Sequence, residues 1–263
     1  MYLLTKTLPT AEENLALDEA LVEVADQQST VAGSEFETLR LWELTEPCVV
    51  LGRASKWAEE VRMAECQRDG VPVLRRVSGG ASIVAGPGCL MYSVLISYLR
   101  RPAWRALDIA HKEVMTRIRD AVQATTDTFH LHLPIAIDGT CDLTIGDRKF
   151  SGNALRCKRN WMLYHGTVMY AVPLNTLTDY LHDPPRQPQY RMHRAHENFV
   201  ANLIVPSSLV SPVSFRLEIE RQLSLVWSAT EPWETNPLKE QVETECNRLF
   251  QNRYTDLNWH LDR

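Results

Sequence analysis

Residues 141–172 read CDLTIGDRKFSGNALRCKRNWMLYHGTVMYAV. Three runs in this stretch, 141–145, 148–156 and 161–172, are short and rich in apolar, β-branched or aromatic residues, which favour strands. Gly146-Asp147 separates the first two runs and is typical of a tight turn. The stretch therefore predicts an antiparallel meander in the middle of the chain.

A helix is expected to begin near residue 11. Thr10-Ala-Glu-Glu13 has the form of a capping box, in which the Thr10 oxygen accepts from the Glu13 amide and the Glu13 carboxylate accepts from the Thr10 amide. Asn14, Asp18 and Glu19 are expected on the polar side of this helix. The apolar residues of the opposite face recur at helical spacing and are Leu17, Ala20, Leu21 and Val24.

More strands and helices are predicted on either side of the meander. Strand-like runs lie at 39–44, 48–52, 71–77 and 90–97, and helices are predicted at 56–68, 106–124, 215–228 and 237–251. A glycine-rich stretch at 78–89 and proline-rich stretches at 183–191 and 205–213 are predicted as loops. This order predicts an α/β (α+β) fold with a central, largely antiparallel mixed sheet flanked by helices, and residues 1–263 are expected to form a single domain.

Charge and cysteine content narrow the function classes. Lys and Arg number 28 against 33 Asp and Glu, a net charge of −5, so no uniform positive field favours nucleic acid or an anionic membrane. The six cysteines include no Cys-x-x-Cys pair, and the start MYLLTKTLPTAEEN lacks the basic flank and apolar core of a signal peptide. We expect reduced thiols, a cytoplasmic protein, no nucleic-acid partner and no membrane segment.

The first candidate for chemistry is Arg75-Arg76-Val-Ser78-Gly79-Gly80. Two arginines that lead into a glycine-rich turn bring forked cations and backbone amides together, which suits a carboxylate or a phosphate. The stretch lacks the Lys-Ser/Thr ending of a P-loop and the G-x-G-x-x-G of a dinucleotide fold. An anion site and an exposed hairpin with two surface arginines both remain open.

The second candidate is the meander itself. Asp142, Lys149 and His165 fall at successive strand ends or turns, where a rigid sheet can direct side chains into one cleft. A lysine there could stabilise negative charge that develops on an oxygen during acyl transfer. Ser151-Gly152 and their small neighbours leave room for a ligand against the strand. The alternative is an ordinary amphipathic meander with outward Lys and Asp.

Together these stretches resemble one known family. RRVSGG, then LMYSV, GTCDLTIGDRKFSGNALR and HGTVMY, in this order and spacing, are similar to the catalytic domain of lipoate–protein ligase A and its octanoyltransferase relatives, in the biotin/lipoate ligase superfamily. The resemblance implies an enzyme that attaches a lipoyl or octanoyl group to one lysine of a lipoyl-carrier domain of a 2-oxoacid dehydrogenase or of the glycine cleavage H protein. A ligase would use ATP and Mg²⁺ by way of an acyl-adenylate, and no separate C-terminal accessory domain is expected.

The resemblance also assigns residues. Lys149 matches the family lysine that contacts the reacting carbonyl and phosphate oxygens, and Asp142 occupies the position of the family acid. His165 and Gly166 match the H-G-T turn that lines the acyl pocket. The residues expected to bind substrate are Arg75, Arg76, Ser78, Gly79, Gly80, Ser151, Gly152, His165 and Gly166.

Three departures leave alternatives open. Ala81 replaces the third glycine after S-G-G, Ala85-Gly86 replaces a His-Asp pair, and Cys141 replaces the asparagine before the family acid. One alternative is an octanoyltransferase that needs no cofactor and moves octanoyl from acyl carrier protein through Cys141 as a thioester. Another is an acyl-binding relative without catalysis.

Two histidine pairs and a basic cluster are weaker candidates. His130-x-His132 and His193-x-x-His196 have metal-ligand spacing but no evident third ligand, so no metal site is expected. The cluster Arg186, Arg191, His193, Arg194 and His196 is either a solvated surface or a docking site for an acidic carrier.

Overall fold

The computed structural model describes residues 1–28, 36–204 and 209–262. The strands are β1 Tyr2–Leu4, β2 Thr38–Trp42, β3 Cys48–Leu51, β4 Val73–Arg75, β5 Ile83–Ala85, β6 Cys89–Ser97, β7 Ile135–Asp138, β8 Asp142–Ile145, β9 Arg148–Cys157, β10 Trp161–Met169 and β11 Glu231–Pro232. The helices are α1 Ala11–Gln27, α2 Trp57–Glu60, α3 Met63–Asp69, α4 Leu107–Thr128, α5 Asn175–Tyr180, α6 His196–Phe199, α7 Pro212–Trp227, α8 Lys239–Leu249 and α9 Leu257–Leu261. Residues 205–208 of the loop predicted at 205–213 lie outside the described residues.

The large sheet has eight strands in the order β11-β1-β2-β6-β10-β9-β8-β7. The predicted meander is confirmed, because β8 pairs antiparallel with β9 and β9 pairs antiparallel with β10. Strand β10 then pairs antiparallel with β6 along its whole length, from Trp161 opposite Ser97 to Met169 opposite Cys89. Among the described strands of this sheet, only β1 pairs in parallel, with β2 and β11, so the predicted mixed, largely antiparallel sheet is also confirmed.

A second sheet of three strands, β4-β3-β5, was not expected as a separate unit. Strands β3 and β4 are parallel because α2 and α3 cross over between them. The single helix predicted at 56–68 is wrong in this respect: it is divided at Val61, which is extended and bridges Leu181. Strand β5 lies inside the stretch 78–89 that was predicted as loop, so only residues 78–82 and 86–88 of that stretch are outside strands.

Two apolar layers cover the large sheet. On one face, α1 packs against α8, and the small sheet joins the same cluster. On the other face, α4 packs against α7 over the side chains of β6, β9 and β10. Strands β6 and β10 are buried at every position, because each has a layer of helices or strands on both faces.

Helix α1 confirms one expectation and contradicts another. The capping box is present, with the Thr10 amide donating to Glu13 at 2.9 Å and the Glu13 amide donating to Thr10 Oγ1 at 3.2 Å. Asn14, Asp18 and Glu19 are 0%, 3% and 2% exposed, so the predicted polar side is buried. The helix lies between the sheet and α8, and buried carboxylates in such a position require partners.

The C-terminal elements pack on the rest of the fold. Strand β11 extends the large sheet at β1, α8 covers α1, and α9 contacts β4. The predicted helices at 215–228 and 237–251 are confirmed as α7 and α8. No helix among the described residues is long and apolar enough to span a bilayer.

Candidate active site

The loop after β4 is shaped by Arg76, whose side chain is buried. Its Nε donates to Ser78 Oγ at 3.0 Å, and its Nη2 donates to the carbonyls of Gly79 and Ala81 at 2.5 and 3.0 Å. Burial lowers the pKa of the Arg76 guanidinium to about 10. Arg76 therefore fixes the path of the loop predicted to bind substrate, and a role as direct anion ligand stays a prediction.

Arg75 lies on the other side of the strand. Its guanidinium donates to the backbone carbonyls of Gly52, Arg53, Ser55, Trp259 and His260, at 2.7 to 3.2 Å. The Arg75 amide also donates to His260 Nδ1 at 2.8 Å. The structure thus separates the two arginines that the sequence grouped together, and places Arg75 between the C-terminal helix and the loop 52–55.

The Gly79-Gly80 turn is exposed on one side, and on the other side it packs closely against Gly52. Gly80 has φ +91°, and a Cβ on Gly52 would lie 1.9 Å from the Gly80 carbonyl oxygen, so both positions require glycine. The backbone amides of Gly79, Gly80 and Ala81 donate to no other described residue. These amides are free to bind an anionic or carbonyl oxygen.

Lys149 and Asp142 meet as the sequence suggested. Lys149 Nζ lies 2.8 Å from Asp142 Oδ1, and Tyr190 donates its hydroxyl to Asp142 Oδ2 at 2.7 Å. The two strands that carry Lys149 and Asp142 are paired, with an irregularity between Leu143 and Thr144. The lysine side chain lies over Gly152, where a Cβ would be 2.8 Å from Nζ.

His165 connects Ser78 to the buried pair Asp18 and Arg40, neither of which the sequence analysis assigned to the site. Its Nε2 lies 2.5 Å from Ser78 Oγ, and its Nδ1 lies 3.3 Å from Asp18 Oδ2. Asp18 forms a buried ion pair with Arg40 and accepts from Ser93 Oγ at 2.8 Å. A charged residue between Leu39 and Leu41 in a strand was the available sequence signal, since an arginine buried there needs a carboxylate.

Cys141 is half-buried beside these groups. Its Sγ donates to the Asn153 carbonyl at 3.2 Å, and Asn153 Nδ2 donates to the Cys141 carbonyl at 2.7 Å and to Ser151 Oγ at 3.2 Å. Burial and the adjacent Asp142 raise the pKa of the Cys141 thiol to about 11. Asn153 also lies against Gly166, where a Cβ would be 1.7 Å from Asn153 Oδ1.

A cavity of about 130 Å³ opens beside the Gly-rich loop, with Lys149 and Gly152 in its wall. Its apolar lining includes Ile83, Val84, Met169, Leu177, Leu181 and Phe199. The basic cluster predicted from sequence borders the cavity through Arg186, Arg191 and His196, of which Arg191 pairs with Asp183. Among the described residues, no three His, Cys, Asp or Glu side chains converge as metal ligands.

Comparison with known proteins identifies the family. The family model of the lipoyl protein ligase A/B catalytic domain matches residues 10–213. The chain belongs to this family. The resemblance and the enzyme class predicted from the sequence, lipoate–protein ligase or lipoyl (octanoyl) transferase, are confirmed.

Individual relatives extend over most of the chain. The Probable lipoate-protein ligase A of Mycoplasma pneumoniae is 25% identical over 270 residues, which cover 100% of this chain and 71% of the relative. The octanoyl-GcvH:protein N-octanoyltransferase of Kyrpidia tusciae is 27% identical over 192 residues, 66% of this chain and 62% of the relative. The bi-partite lipoate protein ligase of Thermoplasma acidophilum, described with its E2 lipoyl domain, matches with TM-score 0.76 and 21% identity over 99% of this chain and 95% of that chain, and confirms the fold.

Proposed function

We propose that this chain joins a lipoyl or octanoyl group to the ε-amine of one lysine in a lipoyl-carrier domain, by way of an acyl-adenylate. The observation that carries the proposal is Lys149, which is paired with Asp142 and lines an apolar cavity beside a turn with free amides. The family supplies the reaction class, acyl attachment, and this arrangement supplies a place for it. Apolar walls suit an acyl chain, and a fixed cation suits the oxygen at its reactive end.

Lys149 is the residue we assign to the reacting oxygens. Its ammonium is fixed by Asp142, and Asp142 is fixed in turn by Tyr190. A cation held in place before the reaction can stabilise the oxyanion that forms when an amine attacks the acyl carbonyl. Both oxygens of Asp142 already have donors, so in this mechanism Asp142 orients Lys149.

ATP with Mg²⁺ is the activating co-substrate in this proposal. The residues present fit a triphosphate: Lys149 offers one cation, and Gly79 and Gly80 offer amides that donate to no other described residue. ATP would donate an adenylyl group to the acyl carboxylate with loss of pyrophosphate, so that AMP would be the leaving group when the lysine amine attacks. The chain's own residues bind the acyl chain, orient it against Lys149 and keep its carbonyl next to the loop.

The acceptor and donor follow from the relatives' names. We propose the lipoyl domain of a 2-oxoacid dehydrogenase or the glycine cleavage H protein as acceptor, since relatives are named for an E2 lipoyl domain and for GcvH. Acyl carrier protein is the donor if the enzyme acts as a transferase. We place the reaction in the cytoplasm. We also treat residues 1–263 as one catalytic domain, because β11 contacts β1, α8 packs on α1 and α9 contacts β4.

Transfer through Cys141 is the weaker route in this proposal. A thiol with a pKa of about 11 is protonated at neutral pH, and its hydrogen is directed to the Asn153 carbonyl. A thioester route through this residue would require both features to change. An acyl-binding relative without catalysis is also disfavoured, since apolar binding alone does not require Lys149 in the cavity wall.

The test is the intact mass of a purified lipoyl domain after incubation with this protein. One arm supplies lipoate with ATP and Mg²⁺, and the other supplies octanoyl–acyl carrier protein alone. A lipoyl mass shift that requires ATP supports the proposed ligase. No mass shift in either arm, with H protein also tried as acceptor, would contradict the proposed function.

A further inference from the structure

Ser78, His165 and Asp18 come from three separate elements and form one line of buried contacts. Ser78 Oγ is 2.5 Å from His165 Nε2, and His165 Nδ1 is 3.3 Å from Asp18 Oδ2. A hydroxyl, an imidazole and a carboxylate in this order have the geometry of an activated nucleophile, its base and the group that orients the base. A purely structural role, in which His165 holds the loop 78–80, would require only the contact between Ser78 and His165.

The charged residues around Ser78, His165 and Asp18 determine which atoms donate and which accept in these hydrogen bonds. Burial opposes ionisation of Asp18, but Arg40 and the contact with His165 lower its pKa below the usual value, so Asp18 is a carboxylate at neutral pH. A carboxylate accepts a hydrogen from Nδ1, which assigns the other ring nitrogen, Nε2, as the acceptor of the Ser78 hydroxyl. Arg76 Nε, 3.0 Å from Ser78 Oγ, places positive charge beside the oxygen.

The loop supplies donors for a reacting carbonyl. The amides of Gly79 and Gly80 follow Ser78 directly and donate to no other described residue. Donors just after a nucleophile can stabilise the oxyanion of a tetrahedral intermediate. Ser78 itself is 1% exposed, but Gly79 and Gly80 are exposed, so the nucleophile directly precedes a turn that faces solvent.

We propose that Ser78 is a nucleophile that takes an acyl group from a thioester donor, with His165 as its general base and Asp18 as the residue that orients His165. The Ser78 oxygen attacks the thioester carbonyl while its proton passes to His165 Nε2. The C–S bond then breaks, and the departing thiolate takes this proton from His165. The product is an acyl-serine ester and a free thiol, and an amine or water can later release the acyl group.

This activity goes beyond the proposed ligase reaction, because it needs no nucleotide. It also assigns the covalent step to a residue other than Cys141, whose thiol is protonated and directed to a carbonyl. The donor we propose is an acyl thioester of pantetheine. Both octanoyl-CoA and octanoyl–acyl carrier protein carry such a thioester.

The experiment incubates the full chain with either octanoyl donor, without ATP and without acceptor. Intact mass with peptide mapping and release of free thiol are followed together, so that an ester that hydrolyses rapidly is still detected. We expect one octanoyl group on Ser78, or thiol release that depends on Ser78. The donor that reacts identifies the source of the acyl group.

Four variants separate nucleophilic from structural roles. Ser78→Ala should abolish the adduct and the thiol release, whereas Ser78→Cys should carry the octanoyl group as a thioester. Asp18→Asn should slow acylation by about 100-fold or more, the usual range for loss of a general base's function. Ser93→Ala removes another hydroxyl that donates to Asp18 Oδ2, yet leaves the three groups in place, and should retain the rate within about twofold.

The outcomes distinguish this inference from the proposed function. Lipoate, ATP and a lipoyl domain are given to the wild-type protein in a parallel reaction. Lipoylation without any Ser78-dependent adduct or thiol release would overturn the triad and leave the ligase intact. Acylation of Ser78 without lipoylation would do the reverse. Octanoyl on Cys141 with normal thiol release in Ser78→Ala would also overturn the triad.

Discussion

Replacement of Lys149 by alanine is the most direct test of the catalytic geometry. The Lys149 ammonium lies 2.8 Å from Asp142 Oδ1 and lines the cavity, and Lys149 is the side chain that we assign to the reacting oxygens. Loss of one preorganised donor to a developing oxyanion typically costs about 3 to 4 kcal/mol, or about 100- to 1,000-fold in rate. We therefore expect Lys149→Ala to lower the rate of lipoylation by at least about 100-fold.

The same substitution should alter stability far less. The side chains of Lys149 and Asp142 are 27% and 12% exposed, and a partly exposed ion pair contributes about 1 kcal/mol or less. For a chain of this size, that corresponds to a fall in Tm of about 2 to 4 °C. Asp142 keeps its bond from Tyr190, so its carboxylate is not left without a donor.

Lys158→Ala is a matched control. Lys158 Nζ lies 2.6 Å from Glu23 Oε1, and the two side chains are 22% and 21% exposed. The pair resembles Lys149–Asp142 in length and burial but lies outside the proposed site. We expect a similar small change in Tm and a lipoylation rate within about twofold of the wild type.

The assay is single-turnover lipoylation of a purified lipoyl domain, followed by intact mass, with Tm measured on the same samples. Single turnover separates chemistry from product release. A loss of less than tenfold in Lys149→Ala would refute the role of Lys149. Equal losses in Lys149→Ala and Lys158→Ala would show that the effect comes from general destabilisation.

Three further predictions concern packing and reactivity. Gly166→Ala should destabilise the fold by about 1 to 3 kcal/mol, measured by urea denaturation, because its Cβ would lie 1.7 Å from Asn153 Oδ1 and 2.9 Å from the Gly152 carbonyl oxygen. Cys141→Ser should retain lipoylation within about threefold, and alkylation of the Cys141 thiol should rise only as the pH approaches its raised pKa of about 11, since the protonated thiol reacts poorly. Arg75→Met should cost at least about 2 kcal/mol of stability and expose the C-terminal helix to proteolysis, because buried carbonyls lose a charged donor.

Each of these has a contrasting outcome. A Gly79→Ala variant should unfold at nearly the wild-type urea concentration, since nothing lies within 4 Å of its Cβ, and equal destabilisation of both glycine variants would contradict the packing argument. Rapid alkylation of Cys141 at pH 7 would contradict its raised pKa. A stable Arg75→Met variant that resists protease would mean that α9 is held by other contacts.

The sequence predicted the strands better than the environment of the helices. Apolar, β-branched and aromatic content together with turn residues located β8, β9 and β10 within two or three residues, because these signals are local. The polar side of α1 was misplaced because its cover comes from far along the chain: Glu19 accepts from Tyr254 at 2.8 Å. A helical pattern records which residues are polar, but not whether a distant segment buries them.

In the candidate site, too, contacts within one hairpin could be predicted from the sequence, whereas contacts between distant segments could not. Lys149 and Asp142 could be predicted to meet because they lie on one antiparallel hairpin. Arg75 and Arg76 were grouped by sequence, but neighbours on a strand point to opposite faces, so a period of two already separates them. The contact between His165 and Asp18 joins residues 147 positions apart in the chain and depends on the packing of α1 against β10, which no local pattern records.

Whether a position carries arginine or lysine matches the number of fixed oxygens that its side chain binds. Arg40, Arg75 and Arg76 are buried, and their forked donors each bind two or more fixed oxygens of the fold. A guanidinium suits this task because its donors are planar and rigid. Lys149 is held by one carboxylate, Asp142, and an ammonium has three donors, so it keeps donors for a charge that appears on the substrate. The arginines therefore build the loop and its supports, and the lysine remains the cation that can respond to the reaction.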